Sequence, residues 1–173
     1  QTEFKGIGLH SGLESVIKII PADVNHGIIF KRIDLEENNI IKANFEKVSS
    51  ARLCTTIQNS FNVSVSTVEH LLAALYITGI DNVLIEINSS EIPIMDGSSK
   101  EFVETFLKTG TKEQSAKRKY LQILKKFEFS ENEKFISIEP NKKSLNVDFQ
   151  LVYSNNIIGK QRNQINFSDK DLF

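Results

Sequence analysis

The chain has 173 residues with Lys+Arg 21 against Asp+Glu 22, a formal net charge of −1, and a nucleic-acid surface is not expected from that balance. Its hydrophobic content of 40% suits a soluble globular protein of one or two domains, and no apolar run reaches the ~18 residues of a membrane span. The single cysteine, Cys54, excludes an internal disulfide and fits a reducing cytosol.

Residues 4–34 read as strands: Val16, Ile17, Ile19 and Ile20 lead to a turn at Pro21, and Gly27-Ile28-Ile29-Phe30 begins the next strand. Asn38 and Asn39 mark a loop, and short strands are expected near 51–57 and 63–65. Apolar Val68, Leu71, Leu72 and Leu75 recur as one face of a helix. That helix is expected from Thr67 to just before Gly79, a left-handed stop. Residues 82–87 read as a strand. A second helix is expected from near Ser98, with Phe102, Val103, Phe106 and Leu107 as its apolar face and Gly110 closing it. Strands and two helices facing one sheet describe an α+β, two-layer sheet/helix domain over 1–112. Residues 113–119 are polar and read as a linker. Beyond them, Ile136-Ser137-Ile138-Glu139-Pro140 echoes Ile17-Lys18-Ile19-Ile20-Pro21, and Leu145, Val147, Phe149 and Leu151 alternate as a half-buried strand. This weak repeat predicts the truncated start of a second, similar α+β domain over 120–173. The first residue is Gln1 rather than Met, so an N-terminal piece is expected to be missing or removed.

The stretch Ser66-Thr67-Val68-Glu69-His70-Leu71-Leu72-Ala73-Ala74-Leu75 carries the most chemistry. Glu69 and His70 point away from the apolar face. Their neighbours there are Ala73 and Ala74 rather than Lys or Arg, as on a face that something else covers. Two readings of Glu69 stand side by side. Ser66-x-x-Glu69 is the pattern of a capping box, as is Ser98-x-x-Glu101 at the second helix. A covered Glu–His pair is also a candidate site for chemistry, but adjacent residues point about 100° apart and lack the i, i+4 spacing of a zinc-binding helix pair.

Wider context adds to this pair. Gly6-Ile7-Gly8-Leu9-His10-Ser11-Gly12 stands near the start, and Leu53-Cys54-Thr55 precedes the helix. The helix block runs on through Gly79-Ile80-Asp81-Asn82-Val83 to Glu91-Ile92-Pro93-Ile94-Met95-Asp96-Gly97-Ser98. In order and spacing these blocks resemble the zinc-dependent UDP-3-O-acyl-N-acetylglucosamine deacetylases of lipid A biosynthesis. The resemblance covers essentially all 173 residues and the N-terminal half to two-thirds of the family's enzyme.

The resemblance implies two similar α+β domains with the active site between them. It implies that Glu69 matches the family's general base and His70 the first of three zinc ligands, with ferrous iron as the alternative metal. The other two ligands, a His and an Asp, have no counterpart in this chain. Leu53 and Cys54 match residues that line the substrate site, and Lys134 matches a basic residue near the substrate's polar head. His10 matches a family His that is not a zinc ligand, and as a residue between Gly8 and Gly12 it reads as a hydrogen-bonded turn. His26 receives no role. Asp96 before Gly97 reads as a turn residue.

The function expected on these grounds is part of a cytoplasmic hydrolase that removes the N-acetyl group from a UDP-linked acylated amino sugar. It would work near the membrane without insertion, and this length alone would be inactive. The alternative is a non-catalytic α+β binding or assembly module, in which Glu69 is a cap and His70 a packed side chain.

Overall fold

A computed structural model describes residues 1–142 and 144–167; the end of the predicted second domain, 168–173, lies outside them. The chain divides into two compact units, Gln1–Ala116 and the stretch from Lys117 on.

The first unit is built on a five-stranded sheet. Its strands are β1 (Thr2–Ile7), β2 (Glu14–Pro21), β3 (Ile28–Arg32) and β4 (Ile40–Lys42), joined by a later strand between two helices. A 3-10 turn at Phe45–Lys47 leads to the short strands β5 (Val48–Ser50), β6 (Thr56–Gln58) and β7 (Ser64–Val65), which form a separate three-stranded sheet. Helix α1 (Glu69–Ile77), strand β8 (Val83–Ile87) and helix α2 (Lys100–Thr109) complete the unit.

Strand β8 is the keystone of the larger sheet, whose order is β1-β2-β8-β3-β4. It pairs antiparallel with β2, Ile17 opposite Ile87, and parallel with β3, Phe30 opposite Ile85. The hairpins β1–β2 and β3–β4 therefore become one sheet only because β8 lies between them. Its alternation explains the two layers. Val83, Ile85 and Ile87 are buried, while Leu84 and Glu86 between them are only partly covered. The buried row joins Ile17, Ile19, Phe30 and Ile41 with Leu71, Ala74 and Leu75 of α1 and Phe102 and Phe106 of α2 in one core. The Phe4 ring meets Phe102 and Phe106 edge-on at 4.8 and 5.8 Å. Each fully buried side chain of this size contributes about 1.5–3 kcal/mol.

Helix α1 stops as its sequence predicts. Gly79 has φ +69, its N–H donates to Tyr76 O, and the Ile80 N–H donates back to Leu75 O at 2.8 Å. This pair of bonds is the Schellman arrangement, and Ile80 packs on the core. The expected strand over 51–57 is confined to Thr56–Gln58. β4 follows the loop marked by Asn38 and Asn39, where no element is expected from the sequence, and with three residues it is too short to show a period.

The second unit contains two hairpins. Strand β9 (Phe127–Glu131) pairs with β10 (Lys134–Ile138), and β11 (Asn146–Val152) pairs with β12 (Lys160–Asn166). They are separate two-stranded sheets, and no strand among the described residues joins them as β8 joins β2 and β3. The alternation of Val147, Phe149 and Leu151 predicts a half-buried strand. They form the strand but are 36%, 44% and 46% exposed, because a lone hairpin has no second layer to cover one face. Among the described residues no helix is long and apolar enough to cross a membrane.

Candidate functional site

The site begins at the head of α1. The helix starts at Glu69, two residues later than expected, with Val68 as its N-cap and no side-chain cap bond. Neither capping box forms. Ser66 pairs as an isolated parallel bridge with Glu91, and its hydroxyl donates to Ser90 O. Ser66 thus continues the strand direction and cannot cap the helix. In α2, Ser99 rather than Ser98 is the N-cap, again without a side-chain cap bond. Ser98 Oγ instead donates to Asp96 Oδ1 and accepts from the Lys100 N–H.

Freed from capping, the Glu69 carboxylate reaches across to another segment. Its Oε2 accepts the Thr55 N–H at 2.9 Å, and the Val68 N–H donates to Thr55 O at 3.3 Å. These two bonds clip the Leu53-Cys54-Thr55 segment to the start of α1, so sequence positions 53, 54 and 69 share one locality. Leu53 is left-handed at φ +66 and 85% exposed. Cys54 is half-buried, with Sγ 3.9 Å from Thr56 Oγ1. His70 is half-buried, and its carbonyl accepts the Ser99 hydroxyl at 2.9 Å, tying α1 to α2. Of the two alanines expected on the face of this pair, Ala74 belongs to the core face, and Ala73 is exposed among the described residues.

Behind the helix head lies a buried carboxylate that sequence reasoning quoted but gave no role. Glu91 is 1% exposed. Its oxygens accept the His10 N–H at 3.0 Å, the Ser11 N–H at 2.7 Å and the Thr67 hydroxyl at 2.9 Å. Burial pushes its carboxyl up, but the bonds from the His10 and Ser11 backbone and from the Ser11 and Thr67 hydroxyls outweigh it and hold the carboxyl below its ordinary value. The glycine at position 8 fits this arrangement, since a Cβ there would fall 2.5 Å from Glu91 Oε2 and against Ser11 Oγ. The signal in the sequence is a lone carboxylate followed directly by Ile92-Pro93-Ile94; such a residue is buried only when it is fully bonded.

Other predicted residues stand elsewhere. His10 is exposed and acts here through its backbone N–H. His26 Nδ1 lies 3.0 Å from Gly27 O. Asp96 accepts from the Ser98 N–H and hydroxyl in a turn that includes left-handed Gly97. Lys134 opens β10 of the second unit and is exposed. Among the described residues no three His, Cys, Asp or Glu side chains group to hold a metal ion. One imidazole beside one carboxylate falls short of the three protein ligands of a catalytic zinc, so these residues by themselves do not fit that metal.

The family model for UDP-3-O-acyl N-acetylglycosamine deacetylase matches residues 1–173. The chain belongs to this family. Among its relatives, UDP-3-O-acyl-N-acetylglucosamine deacetylase of Actinobacillus pleuropneumoniae serotype 3 is 39% identical over 159 residues, 92% of this chain and 52% of that protein. The protein of the same name from Geotalea uraniireducens is 41% identical over 170 residues, 98% and 54% respectively. That from Legionella pneumophila strain Corby is 40% identical over 162 residues, 94% and 53%. The chain spans about half the length of the curated relatives it matches.

Proposed function

We propose that residues 1–173 form the N-terminal part of a hydrolase that removes the N-acetyl group from UDP-3-O-acyl-N-acetylglucosamine in lipid A biosynthesis. Family membership over the whole chain, with relatives carrying that name, supports this reading. The observation in its favour at the site is that Glu69 is free of any capping duty. Its Oε2 accepts the Thr55 N–H, and the described residues supply no partner for Oε1.

In this reading Glu69 takes the proton of the water that attacks the N-acetyl carbonyl carbon. A C–O bond forms, the C–N bond breaks, the proton returns to the leaving nitrogen, and acetate and a free glucosamine amine result. The bond from Thr55 would fix the carboxylate's orientation. His70 would be one ligand of a divalent metal, zinc or ferrous iron, and the described residues do not supply the others. Leu53 and Cys54, held beside Glu69 through Thr55, would line the substrate site, and Lys134 would meet the substrate's polar head. A cytoplasmic enzyme that approaches the membrane only to collect its lipid-bearing substrate fits this chemistry.

The test uses the longer protein that carries this segment, incubated with UDP-3-O-acyl-N-acetylglucosamine and assayed for acetate. Release of acetate, with both metal content and turnover lost in His70→Ala, supports the assignment. A purified, folded protein that binds the nucleotide sugar and releases no acetate would favour the binding module instead.

A further inference from the structure

Thr67 is a β-branched residue held at φ +57, 2% exposed, immediately before the N-cap of α1. Left-handed backbone disfavours a β-branched side chain. The other left-handed residues of the first unit that are not glycine or asparagine are Leu53 and Met95, the first of them in the segment bonded to Glu69. Such strain persists only where surrounding bonds over-determine it. At Thr67 those bonds come from one place. Its hydroxyl donates to Glu91 Oε1, the Ser66 N–H donates to Ser90 O, and the Ile92 N–H donates to Ser66 O. Glu91 is anchored in turn by the His10 and Ser11 amides, and its carbonyl accepts the buried Ser15 hydroxyl at 2.6 Å.

We propose that Glu91 is a positioning residue for the Glu69–His70 pair, acting through Thr67: its buried carboxylate locks the strained turn that aims the first turn of α1. The inference rests on the reading of Glu69 and His70 given above. Loop 8–12 binds both oxygens of this carboxylate and Thr67 binds Oε1, so the carboxylate couples them. Releasing Thr67 lets φ relax to negative values. A change of that size two residues before the helix re-aims residues 69 and 70 relative to Thr55, and displacements of ~1 Å at reacting groups cost up to about 100-fold in rate.

The test reads the geometry first and activity second. In the 173-residue chain, the His70 ring resonances, assigned among three histidines with His10→Gln and His26→Gln, and the Thr55 amide are followed by NMR. Thr67→Val removes the hydroxyl and keeps the shape, and it shifts both signals. Thr67→Ser keeps the hydroxyl and leaves them in place. Glu91→Gln shifts them too, and adding Thr67→Gly, which has no left-handed strain to restrain, returns the His70 and Thr55 signals toward wild type. A purely structural role for Glu91 in holding loop 8–12 gives no such rescue. In the longer protein, Thr67→Val lowers kcat about 10- to 100-fold with KM within about twofold. Unmoved His70 and Thr55 signals in Thr67→Val, absence of rescue by Thr67→Gly, or wild-type kcat in Thr67→Val overturns the proposal. Absence of deacetylase activity in the wild-type longer protein overturns the functional reading while the NMR result stands.

Discussion

Replacing Glu69 by Gln separates anchoring from chemistry. The carboxylate accepts the Thr55 N–H at 2.9 Å, a charge-assisted bond worth about 1.5–3 kcal/mol against about 0.5–1.5 for a neutral one. The amide oxygen of Gln keeps the neutral bond, so the loss there is about 1 kcal/mol. Removing a negative charge from the first residue of α1 adds about 0.3–1 kcal/mol. The sum is roughly 1.3–2 kcal/mol, larger than the few tenths of a surface cap. For a unit the size of Gln1–Ala116 this lowers Tm by roughly 5–8 °C. Glu69→Ala additionally strands the Thr55 N–H and costs ~1–3 kcal/mol more. Circular dichroism melts of the 173-residue chain, with hydrogen exchange at Thr55, measure both. In the longer protein Glu69→Gln retains metal while kcat falls roughly 10²–10⁴-fold. Equal melting of wild type, Glu69→Gln and Glu69→Ala, with unchanged exchange at Thr55, would refute the anchoring argument. A Gln variant with normal turnover would refute the role as proton acceptor.

Three further outcomes are expected. Zinc titration of the 173-residue chain against a competing chelator finds no stoichiometric sub-micromolar site lost in His70→Ala, because no metal-holding group of three exists among the described residues; such a site would reveal an unrecognised ligand set. In native-state hydrogen exchange the sheet and helices of the first unit are protected. Strands β9–β12, paired only two by two, exchange faster and promote association through open edges; equal protection in a monomer contradicts this. On acidification the first unit loses stability. The Glu91 carboxyl is held below its ordinary value of 4.5, and that of Asp34 is held down first by its bond to the Arg32 guanidinium. Their stabilisation is therefore fully present above the unfolded values and lost as pH falls through the folded ones. Denaturant midpoints from pH 7 to pH 3 measure the loss, and a Glu91→Gln chain with the same acid slope as wild type removes Glu91 from the account.

Much of this protein was legible in the order of its residues. Alternation and 3.6-residue periodicity located β2, β8 and both helices, because each buries one face on the same core. Gly79 announced the end of α1, because few other residues accept its left-handed angle. The ordered blocks around Glu69 and His70 carried the family. Tertiary structure alone decided what those residues touch. Ser66 and Glu69 have the spacing of a capping box, yet a bridge between Ser66 and Glu91 draws the serine off the helix and delays its start to Glu69. Glu69 then finds Thr55, 14 positions away. Glu91 meets Ser11 across 80 positions, a pairing no local pattern encodes, since it exists only once β8 has paired with β2 and brought the segment after β8 to the β1–β2 loop. A carboxylate reads the same in sequence whether exposed or buried; its surroundings, not its spacing, make Glu91 an anion fixed behind the site.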